Sequence, residues 1–166
     1  PHTTPFGSAT VLTANDDTVV LGDGGELVAG IFTTLNDGDS LTGGAGHDIL
    51  ALFGGGHFHL DTLADFIDFE EVQLTSSSEP AELFLRDGVD LTVVGSGNSF
   101  KRFWLGTGNE MITGGSGLDE FRFSDPADIA GDVLNGGSGN NDRLIVELPS
   151  ATVFDLRTGL SLTSIE

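Results

Sequence analysis

Gly114-Gly115-Ser116-Gly117-Leu118-Asp119-Glu120-Phe121 is the stretch on which the reading of this sequence turns, because it has two further copies. Gly43-Gly44-Ala45-Gly46-His47-Asp48-Ile49-Leu50 repeats the pattern without a gap. Gly136-Gly137-Ser138-Gly139-Asn140-Asn141-Asp142-Arg143-Leu144 repeats it with one extra residue before the aspartate. Degraded copies lie just upstream of each: Asp39 with Leu41, then Gly106, Gly108, Glu110 and Ile112, then Asp132 with Leu134. Recurrence of one short unit is the mark of a solenoid, in which each coil buries its apolar face against the next.

A longer period separates the glycine-rich turns, which begin at Gly22, Gly43, Gly95, Gly114 and Gly136. It implies coils of roughly 20 residues, each holding short strands and turns. The wide gap from Phe53 to Val94 holds two to three coils without the glycine signature, with turns at Asp65 to Asp68 and Ser76 to Pro80. Apolar and polar residues alternate after the turns, as half-buried strands require. Phe121 and Phe123 are expected inward, with Glu120 and Arg122 outward. Leu144, Val146 and Leu148 are expected inward, as are Leu83, Leu85, Val89, Leu91 and Val93. No long amphipathic helix is legible, because proline and glycine are spread throughout. The expected fold is all-β: a parallel β-roll or right-handed β-helix, one module over residues 1–166.

The 26 acidic residues outnumber the 6 basic ones, for a formal net charge of −20. Nucleic acid and anionic membrane surfaces are poor partners for such a chain, since both need clustered lysine and arginine. Such a chain repels itself on folding unless cations neutralise it. Hydrophobic residues make up 38%, enough for a core and too many for a disordered acidic tail. Cysteine is absent, so metal rather than disulfide is the expected staple. No apolar run is long enough to span a membrane. The sequence opens at Pro1-His2 without a secretory leader and closes at Ser164-Ile165-Glu166. It reads as a module excised from a larger protein.

The repeated turn has the chemistry of a hard-cation site. Glycines permit backbone angles that let successive carbonyls converge, and the aspartate adds a carboxylate. Calcium takes six to eight oxygens at about 2.3–2.6 Å. One turn cannot supply six, so an ion must be shared by two stacked turns. The alternative is that Gly-Gly-Ser-Gly and Asp only make tight turns; it weighs most at the degraded positions Asp39, Glu110 and Asp132. Acidic residues elsewhere, such as Asp16, Asp17, Glu70 and Glu71, read as a solvated face.

These repeats resemble the RTX, or haemolysin-type, calcium-binding nonapeptides of bacterial proteins exported by type I secretion. Strict and degraded copies cover about a third of the chain. Leu35-Asn36-Asp37-Gly38-Asp39-Ser40-Leu41 and Phe69-Glu70-Glu71-Val72-Gln73-Leu74 are also similar to strand repeats of surface-layer and adhesin-type proteins. The first resemblance implies that Asp119 and Asp142 share a calcium ion with the carbonyls of Gly114, Ser116, Gly137 and Gly139, and that Gly117 belongs to the same turn. It likewise implies a site at Gly43, Ala45, Gly46 and Asp48, facing the irregular turn around Asp23, with Asp39, Glu110 and Asp132 as further ligands. The function it implies is a non-catalytic calcium-binding module of a secreted or cell-surface protein. Its partners would be calcium (Ca2+), flanking repeats, and cell-surface polysaccharide or another protein. The alternatives are an accessory module of a secreted protease, lipase or polysaccharide epimerase, and a carbohydrate-binding module built around Trp104.

Three other signals compete. His57, His59 and Asp61 share one strand face, a pattern that suits zinc, although surface histidines explain it more simply. Asp125-Pro126 matches the bond cut in some self-cleaving RTX modules, but a proline-bearing loop accounts for it. Lys101-Arg102-Phe103-Trp104 is a basic aromatic cluster suited to a sugar or lipid headgroup, or simply a strand partly facing the core.

Overall fold

The computed structural model describes residues 9–148 and 159–166; the opening Pro1-His2 lies outside them. The chain winds as a nearly all-parallel β-solenoid of about six turns, with about 22 residues per turn. In chain order the first strands are β1 (Thr10–Val11), β2 (Thr18–Val20), β3 (Leu27–Ile31), β4 (Ser40–Thr42), β5 (Ile49–Phe53) and β6 (Gly56–His59). Next come β7 (Asp65–Ile67), β8 (Glu71–Thr75), β9 (Ala81–Phe84), β10 (Thr92–Ser96) and β11 (Lys101–Trp104). The last are β12 (Met111–Thr113), β13 (Asp119–Phe123), β14 (Val133–Asn135), β15 (Arg143–Val146) and β16 (Ser161–Thr163). A single 3-10 turn, Pro126–Ile129, is the only helical element among the described residues.

The strands form three sheets rather than the two faces of a roll. A continuous eight-stranded sheet, order β1-β3-β5-β8-β10-β12-β14-β16, runs the length of the solenoid. A three-stranded sheet, β2-β4-β7, flanks its early coils, and a five-stranded sheet, β15-β13-β11-β9-β6, flanks its later ones. We call these the long, early and late sheets.

Register follows from alternation, because a slip of one residue would turn every apolar side chain outward. Val28, Leu50, Val72, Val93, Ile112 and Leu134 are successive partners across the long sheet, and all six are fully buried. On the late sheet Phe58, Leu83, Phe103 and Phe121 form the matching inward column, with the Phe103 and Phe121 rings stacked 5.4 Å apart. Each such side chain contributes about 1.5–3 kcal/mol through burial. Phe121, Phe123, Leu83, Leu85, Leu91 and Val93 are buried as expected. Val146 is not: it is 46% exposed, because β15 is the edge strand of its sheet among the described residues. Glu120 points outward yet is buried beneath Arg102 and Arg122.

Phe121→Ala should lower the free energy of urea unfolding by about 3–5 kcal/mol, the range for an aromatic deleted from a closed core. Phe53→Ala, at a position 46% exposed, should cost less than half as much; equal losses would mean that the inward column is misassigned.

Candidate metal centre

The three strict repeats lie on two different edges of the solenoid. The Gly43–Asp48 turn joins the early sheet to the long sheet, between β4 and β5. The Gly114 and Gly136 turns join the long sheet to the late sheet, before β13 and β15. The wide interval between the first and second repeats is therefore not a whole number of coils. It includes a change of edge.

Each repeat stacks on its neighbour through backbone hydrogen bonds. On the first edge Ala45 N donates to Gly22 O at 3.2 Å and Gly43 N to Ile67 O at 2.9 Å. The turn lies tightly between its neighbours: Gly44 and Gly46 adopt φ of 120° and 131°, and a Cβ at Gly46 would lie 2.6 Å from Gly24 O. On the second edge Ser116 N donates to Gly97 O and Ser138 N to Gly115 O, each at 3.0 Å. A groove of about 330 Å³ runs along these turns, from Gly95 to Ser138.

The six candidate carboxylates, Asp39, Asp48, Glu110, Asp119, Asp132 and Asp142, are each no more than 1% exposed. Four of them, Asp39, Asp48, Asp132 and Asp142, obey one rule: the carboxylate accepts the backbone N–H of a residue one coil earlier. Asp17 N donates to Asp39 Oδ1 at 2.8 Å, Glu26 N to Asp48 Oδ1 at 2.8 Å and Glu110 N to Asp132 Oδ1 at 3.0 Å. Asp119 N donates to Asp142 Oδ1 at 2.8 Å, while Asp119 Oδ2 accepts from Gly115 N within its own turn at 2.7 Å.

One set of oxygens is left over. Asp48 Oδ2 and Asp119 Oδ1 are buried without a hydrogen-bond partner among the described residues; the buried Glu110 and Asp132 carboxyls face one another and share a side-chain hydrogen bond when Glu110 is protonated. The carbonyls of Gly114, Ser116, Gly117, Gly137 and Gly139, and those of Gly43, Ala45 and Gly46, accept no backbone hydrogen bond from the described residues. Buried polar atoms are rarely left in this state. Asp39 differs: its second oxygen accepts Asn36 N at 2.9 Å, so both oxygens are already engaged.

Burial also shifts the acids' titration. It raises Asp119 to about 6, against the pull of the nearby Lys101 ammonium. It pushes Glu110 to about 9, helped by the adjoining Asp132, and raises Asp132 and Asp142. Among the described residues no three His, Asp or Glu side chains converge closely enough to hold a metal by themselves. A cation on either edge would therefore need backbone carbonyls, which suits a hard ion with oxygen ligands.

The competing signals resolve into structure. His59 stacks on Phe84 at 4.2 Å and pairs with Asp61 at 3.1 Å; His57, on the same strand face, stacks near the same ring at 6.3 Å. Asp125 caps the 3-10 turn, accepting from Ala127 N at 2.9 Å while Asp128 accepts Asp125 N, and Pro126 fits its first turn. The Lys101–Trp104 cluster is split: Lys101 and Phe103 are buried, Arg102 pairs with Glu82 and Glu120, and Trp104 has Phe84 on one side and Arg122 on the other. Both faces of the indole are thus taken.

The motif missed one residue of the same kind, Glu70. Glu70 accepts Asp48 N at 2.8 Å, and Glu26 lies one coil before Asp48, so Glu70 is a rung and not a solvated acid. Glu26, Asp48 and Glu70 recur at intervals of 22 residues, as do Glu110 and Asp132; that spacing was the available signal. Compared with protein-family models, curated proteins and solved structures, the chain finds no match.

Metal-free protein should lose stability as pH rises. An acid raised on folding stabilises fully below its ordinary value, 4.5 for Glu110, and that contribution is gone above about 9. The melting temperature without metal should fall between pH 5 and pH 9, and Glu110→Gln should flatten the upper part of the profile. A profile unchanged by Glu110→Gln would mean that this carboxyl is ionised throughout.

Proposed function

We propose that this chain is a calcium-binding structural module of a secreted or cell-surface protein, folded fully only where calcium is plentiful. The observation that carries the reading is the set of unpartnered oxygens: buried carboxylates and free glycine-turn carbonyls meet on the same two edges. On the second edge Asp119 and Asp142, with the carbonyls of Gly114, Ser116, Gly137 and Gly139, would hold an ion between two turns. On the first edge Asp48, with Gly43, Ala45 and Gly46, would hold another against the Gly22–Glu26 turn. Calcium supplies charge neutralisation and a flexible oxygen coordination sphere. No catalytic role is assigned to it.

Ion binding would then be folding free energy, since the unfolded chain has no preformed site. Carboxylates that cost stability when buried alone become ligands, and a chain of net charge −20 loses part of its self-repulsion. Low calcium before export and high calcium outside would time folding to the extracellular side. The module would stiffen its parent protein, stacking against flanking repeats. The carbohydrate-binding alternative is weakened because Phe84 and Arg122 occupy the faces of Trp104 that a sugar ring would need.

Calcium at a hundredfold excess over its Kd should stabilise the fold by about 2.7 kcal/mol per site, with sodium at equal charge giving no such gain. Asp119→Ala should weaken calcium binding about tenfold or more, as loss of a charged ligand does. Asp16→Ala, on an exposed residue, removes the same charge and should leave affinity unchanged. Equal affinities in isothermal titration would place the site elsewhere.

A further inference from the structure

Lys101 is the only lysine in the sequence, and it is fully buried. Strand register sets it opposite Asp119, and Asp119 N donates to Asp142. Lys101, Asp119 and Asp142 therefore form one column on the second edge, in three successive coils. The segment leading to Lys101, Gly95-Ser96-Gly97-Asn98-Ser99-Phe100, is spaced like Gly136 to Asp142, with a lysine where the repeat has its aspartate.

The side chain turns back over its own turn. Its Nζ donates to Gly97 O and Ser99 O, both at 3.1 Å. On the far side it lies against the next turn: a Cβ at Gly115 would come 2.6 Å from Nζ. Asp119 supplies the opposing charge, working against the burial that lowers the ammonium's pKa. A cation thus rests on converging turn carbonyls, next to a buried carboxylate. One coil further on the column residue is an acid; Gly115 O, which stands where Gly97 O does, accepts Ser138 N just as Gly97 O accepts Ser116 N, while Gly117 O, which stands where Ser99 O does, takes no backbone hydrogen bond from the described residues.

We propose that the Lys101 ammonium is a built-in cation between the Gly95–Lys101 and Gly114–Asp119 turns, closing that level of the stack to a free divalent ion. The ion-binding part of this edge then begins one level on, between the Gly114 and Gly136 turns. The inference rests on the calcium reading above for what the ammonium replaces. The bonds to Gly97 and Ser99 do not depend on it. A charge that must be present at this level is supplied by the chain itself, so these two turns hold together without metal.

Wild type, Lys101→Met and Lys101→Asp separate the possibilities, with bound calcium counted by native mass spectrometry and stability read from the urea midpoint in metal-free buffer. Lys101→Met should lower the metal-free midpoint, because it leaves Asp119 and two carbonyls without their cation. Lys101→Asp should be weaker still without metal, recover in calcium, and bind one more calcium ion than wild type. An unchanged midpoint in Lys101→Met overturns the proposal. So does wild-type calcium uptake with no additional ion in Lys101→Asp, or a Lys101→Asp chain that stays unfolded in saturating calcium. A wild type that takes up no calcium overturns the calcium reading itself, and with it the claim that Lys101 closes the stack to an ion.

Discussion

Turning the chain at the corner of a coil leaves a backbone N–H facing the neighbouring coil, and here the next coil meets it with a carboxylate. Glu26 N to Asp48, Asp48 N to Glu70, Glu110 N to Asp132 and Asp119 N to Asp142 are the same contact made on two edges. A charge-assisted bond of this kind is stronger than an amide–carbonyl bond, and it fixes the height of one coil on the next. It also carries the acid into the interior, where a lone carboxylate is expensive. At Asp48 one oxygen is satisfied by the amide and the other is left for something else. Asp39 shows the alternative, with both oxygens given to amides and nothing left over.

The few positive charges are spent in the later coils. Arg102 and Arg122 alternate with Glu82, Glu120 and Glu147 across the outer face of the late sheet, and the two arginines hold the Glu120 carboxyl below its usual range, against burial. Partly exposed pairs of this kind contribute modestly one by one. Their larger effect is to cover the sheet and keep its register, with Trp104, Phe84 and His59 stacked beside them. The early coils have no comparable ladder among the described residues. Their buried acids, Asp48 above all, have only amides for company.

Several of the candidate site's buried carboxylates were legible in the residues themselves. Asp48, Asp119 and Asp142 stand out because glycines at fixed offsets announce a turn whose geometry few other residues permit, and all three are buried. Glu70 was not legible in this way, because no glycine marks its turn and an acid next to another acid looks solvated. Only its distance from Asp48 gives it away. Lys101 was misleading for a related reason. Beside Arg102 and Trp104 it resembles part of a basic surface cluster, yet alternation along β11 sends it and Phe103 inward and its two neighbours outward.

The sequence by itself determined the class of fold and its inward residues, because alternation and a recurring turn are local properties that any coil must satisfy. It also determined that carboxylates and glycine turns belong together. Which edge each turn occupies was decided only by the tertiary structure. A coil has three corners, and the residues spent on each side vary, so a turn's place depends on the summed lengths of all segments before it. The same holds for the pairing of Lys101 with Asp119, and of Glu110 with Asp132. These contacts join residues a full coil apart, and they exist only once the core columns have set the register that brings one coil over the next.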